Sequence, residues 1–177
     1  MPVPLVPVKA LAEAKGRLAP SLAPLQRRLL AIAMFEDVVA ALQAVPALDA
    51  PVVVSPDREV WRRADAMGCK VVEEPPGAGD LNGALVAAAA TIRTGAPLLV
   101  VAADLPLASA AGLGRVLAAV QAPVAVVPSH DGGGTNVLAW RDPASFAPSF
   151  GPESAARHLA VPGAVRVDEP GLALDVD

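Results

Sequence analysis

Apolar residues along this chain fall into two alternating patterns. Short runs rich in Val and Leu, Val3–Val8, Pro51–Ser55, Cys69–Glu73, Pro97–Ala102 and Pro123–Pro128, show no polar alternation. Such runs suit strands covered on both faces, the habit of parallel sheets. Between them the spacing turns helical. Leu25, Leu29, Ile32, Phe35, Val39 and Leu42 recur every three or four residues, which predicts an amphipathic helix with Pro24 in its first turn. Shorter helices are predicted over Arg58–Met67, Leu81–Arg93 and Ser109–Gln121, with Asp57 and Ser109 as N-caps. Strand–helix alternation through residue 128 implies right-handed crossovers and helices on both sides of a sheet. The expected fold is α/β, three αβα layers around a mainly parallel sheet.

Two stretches disturb the pattern. The first run carries Pro2, Pro4 and Pro7, each lacking a ladder donor, so it is expected at an edge of the sheet. After Pro128 the alternation stops. Gly132-Gly133-Gly134 precedes a strand over Asn136–Trp140, then a Pro/Ser-rich loop and a helix from about Pro152 to Ala160. Neither repeats nor long linkers interrupt the 177 residues, so one domain over 1–177 is expected.

Composition narrows the picture. Hydrophobic residues make up 54% of the chain and charged ones 18%, enough to fill a core and to exclude wholesale disorder. Aromatics are 3% and tyrosine is absent, so that core is aliphatic. The formal net charge is −4, which argues against a global electrostatic grip on nucleic acid. The longest uncharged run, Val116 to His130, is broken by Pro123 and Pro128 and is too short to span a bilayer. The start lacks the basic and apolar stretches of a signal peptide, so a cytoplasmic protein without membrane or nucleic-acid partners is expected. A lone cysteine, Cys69, excludes an internal disulfide and a cysteine-built zinc site; it reads as a core filler.

Ligands of open parallel sheets bind beyond the carboxyl ends of the strands, and four loops there carry polar residues. Lys9, Lys15 and Arg17 bring three cations into the stretch after the first strand; they suit a triphosphate, or an ordinary solvated loop. Asp104 follows an apolar run, where it can hold Mg²⁺ or cap a turn. Asp175 and Asp177 stand two apart, which in an extended chain puts both carboxylates on one face. The glycines before Thr135 can bring backbone N–H groups to an anion or form a hairpin. Gly151 and Ser154 open a helix, as an anion site or as a cap, with Arg157 and His158 a turn later.

Seven segments occur in a fixed order: VPVKALAEAKGRLAP at the start, SPD at 55–57, LNGAL at 81–85, ADLP at 103–106, GGGTN at 132–136, FGPESAARHL at 150–159 and PGLALDVD at 170–177. Together they resemble the CofC-type phospholactate/phosphoenolpyruvate guanylyltransferases of coenzyme F-420 biosynthesis, across essentially the whole chain. The resemblance implies a nucleotidyltransferase fold, a Rossmann-type variant akin to nucleotide-diphospho-sugar transferases. It implies transfer of GMP from GTP to 2-phospho-L-lactate or phosphoenolpyruvate, with release of pyrophosphate. Carried over by position, Asp104 and Asp175 would hold Mg²⁺, and Lys9, Lys15 and Arg17 would face the GTP phosphates, Lys15 and Arg17 taking part in catalysis. Asn82 is placed on the guanosine side, and Thr135, Gly151 and Ser154 at the acceptor. Implied partners are a downstream deazaflavin transferase and, as an option, a second copy in a homodimer. The family pattern differs in having Ser or Thr at the position of Gly16, and in continuing beyond the acidic pair.

That chemistry suits the residues. A phosphate monoester is largely dianionic at pH 7, so it attacks an α-phosphorus without a strong general base. Repulsion between the anions is the obstacle, and cations and positioning answer it. Two other readings stay open: a nucleotidyltransferase of the same fold for a molybdopterin or sugar phosphate, and a non-catalytic nucleotide-binding module.

Overall fold

The computed structural model describes residues 1–74, 80–92 and 95–176. The apolar runs become strands β1 (Val3–Pro7), β2 (Val52–Ser55), β3 (Lys70–Glu73), β4 (Leu98–Val101) and β5 (Val124–Pro128), and the run after the glycines becomes β6 (Thr135–Trp140). The helical stretches become α1 (Pro24–Gln43), α2 (Arg58–Ala66), α3 (Leu81–Thr91), α4 (Ala110–Ala118) and α5 (Ser154–Leu159); the expected end of α3 at Arg93 lies outside the described residues. A two-residue strand β7 (Val165–Arg166) and a short helix α6 (Pro170–Ala173) follow. Both escape the sequence patterns because neither is long enough to display a period. Asp57 and Ser109 cap α2 and α4 as expected, accepting from the amides of Glu59 and Gly112.

The sheet order is β3-β2-β1-β4-β6-β5-β7. β1 to β4 are parallel neighbours, and β6 runs antiparallel between β4 and β5. β1 therefore lies inside the sheet, not at the expected edge. The reason is register. Val3 donates to Pro97 on the β4 side and Val8 to Val54 on the β2 side, so alternate residues donate to opposite neighbours. The missing donor of Pro4 points toward β2, where pairing begins only at Leu5 with Val52. That of Pro7 points toward β4, where pairing has ended at Leu5 with Val100. Each proline falls just outside the ladder that would need its N–H.

Two aliphatic clusters sandwich the sheet. On one face Val6, Val53, Leu99, Val101 and Val137 pack under α1, α2, α4 and α6, through Phe35, Val60, Leu113 and Leu172. On the other, Leu5, Val52, Val100, Leu138 and Trp140 meet Leu85 of α3 and Ala155 of α5. The three layers expected from strand–helix alternation are present, and Cys69 is buried within the first cluster, its thiol pKa raised by that burial. The α1 stripe is only partly used. Ile32, Phe35, Val39 and Leu42 are buried, but Leu25 and Leu29 are 65% and 54% exposed, because the buried face of α1 is centred nearer Ala31, Val38 and Leu42 and both leucines fall to one side of it. Among the described residues no helix is long and apolar enough to cross a membrane.

Candidate active site

The carboxyl edge of the sheet collects the polar loops. β1, β2, β4 and β5 end there, whereas β6, being antiparallel, begins there. Topology thus brings Lys9, Asp57, Asp104, the glycine hairpin and the first residues of β6 to one edge.

The opening loop folds into two 3₁₀ turns, Leu11–Glu13 and Gly16–Leu18. Leu11 is buried, and its amide donates to Asp57 Oδ2 at 2.9 Å. Between the turns, Lys15 adopts a left-handed conformation at φ 55°, a strained choice for a residue with a side chain. It is held by what its ammonium reaches: Nζ donates to Asp104 Oδ2 and to the Val176 carbonyl, both at 2.5 Å. The Val176 amide in turn donates to the Asp104 carbonyl at 3.2 Å. Only 9% of the Lys15 side chain is exposed and 26% of that of Asp104. The C-terminal segment is therefore seated on Asp104, 71 residues away in sequence from Asp175. Lys9 and Arg17 are exposed in the same loop.

Asp175 is anchored by a residue the sequence reading placed only as the start of a strand. Asn136 Nδ2 lies 3.0 Å from the Leu172 carbonyl, 2.8 Å from that of Ala173 and 3.2 Å from Asp175 Oδ1. His130 Nδ1 approaches the same carboxylate at 3.6 Å. A polar residue heading an otherwise apolar strand was the available signal. A second strut comes from α4, where Arg115 makes a bidentate pair with Glu169 and that hydrogen bond lowers the Glu169 pKa. Gly112 makes room for it, since a Cβ there would lie 3.3 Å from Glu169 Oε1. Residues 174–176 pair with no strand, although Leu174 has an extended backbone, and the bonds from Asn136 fix the segment that carries Asp175. Asp177 lies outside the described residues. Among the described residues no group of three or more His, Cys, Asp or Glu is poised to hold a metal; the donors here are two carboxylates and the Val176 carbonyl.

A β-bulge decides what Thr135 and Asn136 face. Val137 and Ala139 lie in the cluster that holds Leu172, Leu138 and Trp140 in the one that holds Ala155. Counting back by twos would send Thr135 toward α6 and Asn136 toward α5. Instead β5 and β6 pair Val127 with Val137 and then Pro128 with Thr135, leaving Asn136 as the extra residue. The insertion inverts the alternation. Asn136 reaches α6, and Thr135 reaches α5.

There Thr135 joins a buried polar cluster. Its Oγ1 lies 3.0 Å from His158 Nδ1 and accepts from Ser154 Oγ at 3.1 Å. Thr135, Ser154 and His158 are 8%, 1% and 1% exposed. Burial, with a smaller push from Arg157, lowers the His158 pKa to about 4, so the ring is neutral near pH 7. Its Nε2 accepts from the Ser149 amide at 2.9 Å, and Phe150 packs edge-on against the ring. Gly151 has φ 123°, a conformation a side chain would strain, and it turns the loop into α5. Asn82, expected on the guanosine side, stands with this group: its amide donates to the Phe150 carbonyl and accepts from the Phe150 amide, at 3.1 and 2.7 Å. Arg157 brackets the same loop through Ser149 and Pro152.

The glycine run is a hairpin and not an open anion cradle. The amides of Gly132, Gly133 and Gly134 donate to the Ser129 carbonyl, Asp131 Oδ1 and Ser129 Oγ. The Ser129 hydroxyl donates to Asp131 Oδ1, and that bond, followed by the one from the Gly133 amide, holds the Asp131 carboxyl below its ordinary value. Gly134 is required, because a Cβ would stand 2.8 Å from Ser129 Oγ. The start of α5 is likewise engaged, Ser154 and Ala155 donating to the carbonyls of Gly151 and Gly133. Of the two readings open at each place, the partnered amides fit the hairpin and the cap rather than an anion site.

A parallel sheet with one reversed strand, polar loops at its carboxyl edge and helices on both faces defines the class: the nucleotidyltransferase fold. Two solved structures share it, a nucleotidyl transferase from Methanothermobacter (TM-score 0.72, 18% identity, covering 99% of this chain and 91% of that one) and 4-diphosphocytidyl-2C-methyl-D-erythritol synthase from Anaerococcus prevotii (TM-score 0.60, 10% identity, 99% and 92%). The chain belongs to the family described as guanylyl transferase CofC like, which matches residues 3–165. Relatives named phosphoenolpyruvate guanylyltransferase include one from Nocardia farcinica, 44% identical over 98% of this chain and 80% of that protein. Another, from Sphaerobacter thermophilus, is 38% identical over 99% of this chain and 87% of its own length.

Proposed function

We propose that this chain transfers GMP from GTP to phosphoenolpyruvate, releasing pyrophosphate, with 2-phospho-L-lactate as the second candidate acceptor. The observation that carries the proposal is the meeting of Lys15, Asp104 and the segment bearing Asp175 at the carboxyl edge. Family membership and the names of the relatives support the acceptor and the guanylyl donor.

Asp104 and Asp175 would hold Mg²⁺. The donors around them are hard oxygens of the kind Mg²⁺ takes, and the ammonium of Lys15 bonded to two of those oxygens supports the reading of a cation-favouring position. When bound, the ion would neutralise charge on the triphosphate and the leaving pyrophosphate. Lys15 can exchange its carboxylate partner for a phosphate oxygen without losing a counter-charge. Lys9 and Arg17, exposed in the same loop, would screen the triphosphate. The Thr135–Ser154 hydroxyl pair would donate to the acceptor, and Gly151 would let the loop close beside it. The acceptor phosphate is its own nucleophile, so neither buried Cys69 nor buried His158 is needed as a base or nucleophile. We take residues 1–177 as one domain working in the cytoplasm, its product passing to a deazaflavin transferase.

The test is pyrophosphate release from GTP, assayed with each component omitted. Release that requires GTP, phosphoenolpyruvate and Mg²⁺ together supports the proposal. GTP binding with no turnover on any acceptor would identify a binding module. Preference for 2-phospho-L-lactate in direct competition would reassign the acceptor.

A further inference from the structure

The buried cluster around Thr135 contains a histidine that the reaction as described does not use. We propose that His158 is a positioning residue, which fixes the Thr135–Ser154 hydroxyl pair so that one hydroxyl proton remains to be donated to an oxyanion of the acceptor. The inference rests on the guanylyltransferase reading for the identity of that anion, but not for the geometry.

A count of protons leads to it. The Ser149 amide can only donate, and it does so to His158 Nε2, so that nitrogen carries no hydrogen. The ring is buried and neutral, which leaves its single N–H proton on Nδ1. Nδ1–H therefore donates to Thr135 Oγ1, 3.0 Å away. Ser154 Oγ donates to the same oxygen at 3.1 Å, and both lone pairs of Thr135 are then occupied. What Thr135 has left is its own proton. Were the Thr–Ser bond reversed, Ser154 would hold the surplus proton instead; in either case the pair has two hydroxyl protons and uses one internally. Among the described residues no hydrogen bond takes up the second. Thr135 Oγ1, with both of its lone pairs filled by His158 and Ser154 and its own proton open, suits an anion over a cation or another donor.

The position of His158 is itself over-determined. Phe150 packs against the ring, and Asn82 holds the backbone of Phe150 from α3. Substrate therefore meets a donor already oriented, with little rotor entropy left to lose.

The experiment has two arms on the full chain. In the unchanged protein, ¹⁵N chemical shifts of the His158 ring at pH 7 report the tautomer. Protonated Nδ1 with bare Nε2 is expected; the opposite tautomer, or an imidazolium, overturns the proposal. In the second arm, His158→Asn, His158→Gln and His158→Phe are compared in steady state. Asn places an amide N–H near the position of Nδ1, Gln reaches the Ser149 side, and Phe retains only the ring. Loss of one neutral hydrogen bond is worth up to about tenfold, so the KM for phosphoenolpyruvate should rise about tenfold in the Gln and Phe variants and stay near the parent in Asn. The KM for GTP and kcat at saturating acceptor should change little. Equal acceptor KM in all three folded variants overturns the proposal. Absence of GMP transfer in the unchanged protein would instead defeat the guanylyltransferase reading, and the tautomer would still decide the proton count.

Discussion

The two halves of the site are built on opposite physical terms. The Lys15–Asp104–Asp175 end is charged and partly open, with 26% of the Asp104 side chain exposed and 19% of Asp175. The Thr135–Ser154–His158 end is neutral and closed, none of the three more than 8% exposed. Isolated charges are costly to bury, so the first end keeps water access and pairs its carboxylate with a movable ammonium. Neutral hydroxyls and an uncharged imidazole can be buried once their bonds are satisfied, so the second end is fixed in advance. Under the proposed reading, one end would exchange cations and the other would hold a donor still.

That contrast can be broken by substitution. The largest effect expected is at the charged end: Asp104→Asn should lower turnover by about 10² or more, measured as pyrophosphate release. A near-normal rate would remove Asp104 from the mechanism. At the neutral end, acidification is informative. The unfolded chain protonates a histidine near its ordinary 6.5, whereas His158 in the fold stays neutral to about 4. Between these values the unfolded state binds more protons. Stability should therefore fall as pH drops through that window, by on the order of 2–3 kcal/mol from this residue. His158→Phe should flatten the thermal-melting profile between pH 6.5 and 5, and an unchanged slope would contradict a buried neutral ring.

Asn136 is the hinge of the comparison, because it stands beside Thr135 but serves the charged end. Asn136→Ala frees the carbonyls of Leu172 and Ala173 and one oxygen of Asp175. About tenfold weaker Mg²⁺ activation is expected, on the scale of losing a group that hydrogen-bonds a metal-holding carboxylate, with the phosphoenolpyruvate KM unchanged. Should both parameters move together, the two halves are not separable. The smallest effect belongs outside both. Leu29→Gln sits on the exposed start of α1, and its stability change should lie within about 0.5 kcal/mol by denaturant melting.

Most of the strands and helices were legible because burial on both faces of a sheet leaves a continuous apolar run, and helix faces leave a stripe. The site was legible in part. Asp104 stood out after an apolar run, Lys15 in a cation-bearing loop, Thr135 behind a glycine run, Ser154 at a helix start and Asp175 in an acidic pair, but nothing local said which would touch. The same blindness explains the readings that changed. The glycine run and the start of α5 could be read as open amides or as a hairpin and a cap, because spacing does not say whether acceptors such as Ser129, Asp131 and Gly151 turn back onto them. Leu25 and Leu29 fitted the three- and four-residue spacing, yet that spacing does not fix which side of the helix axis the neighbouring layer covers.

The amino-acid order by itself therefore determined the elements, the aliphatic core and the family resemblance, since each depends on composition within a window or on motifs in series. Only the tertiary structure decided that a proline-rich strand could lie inside the sheet, because the ladder's register is a property of two strands. It alone decided that one extra residue in β6 would turn Thr135 to α5 and Asn136 to α6. Side-chain direction follows pairing, and pairing is not written in either strand alone.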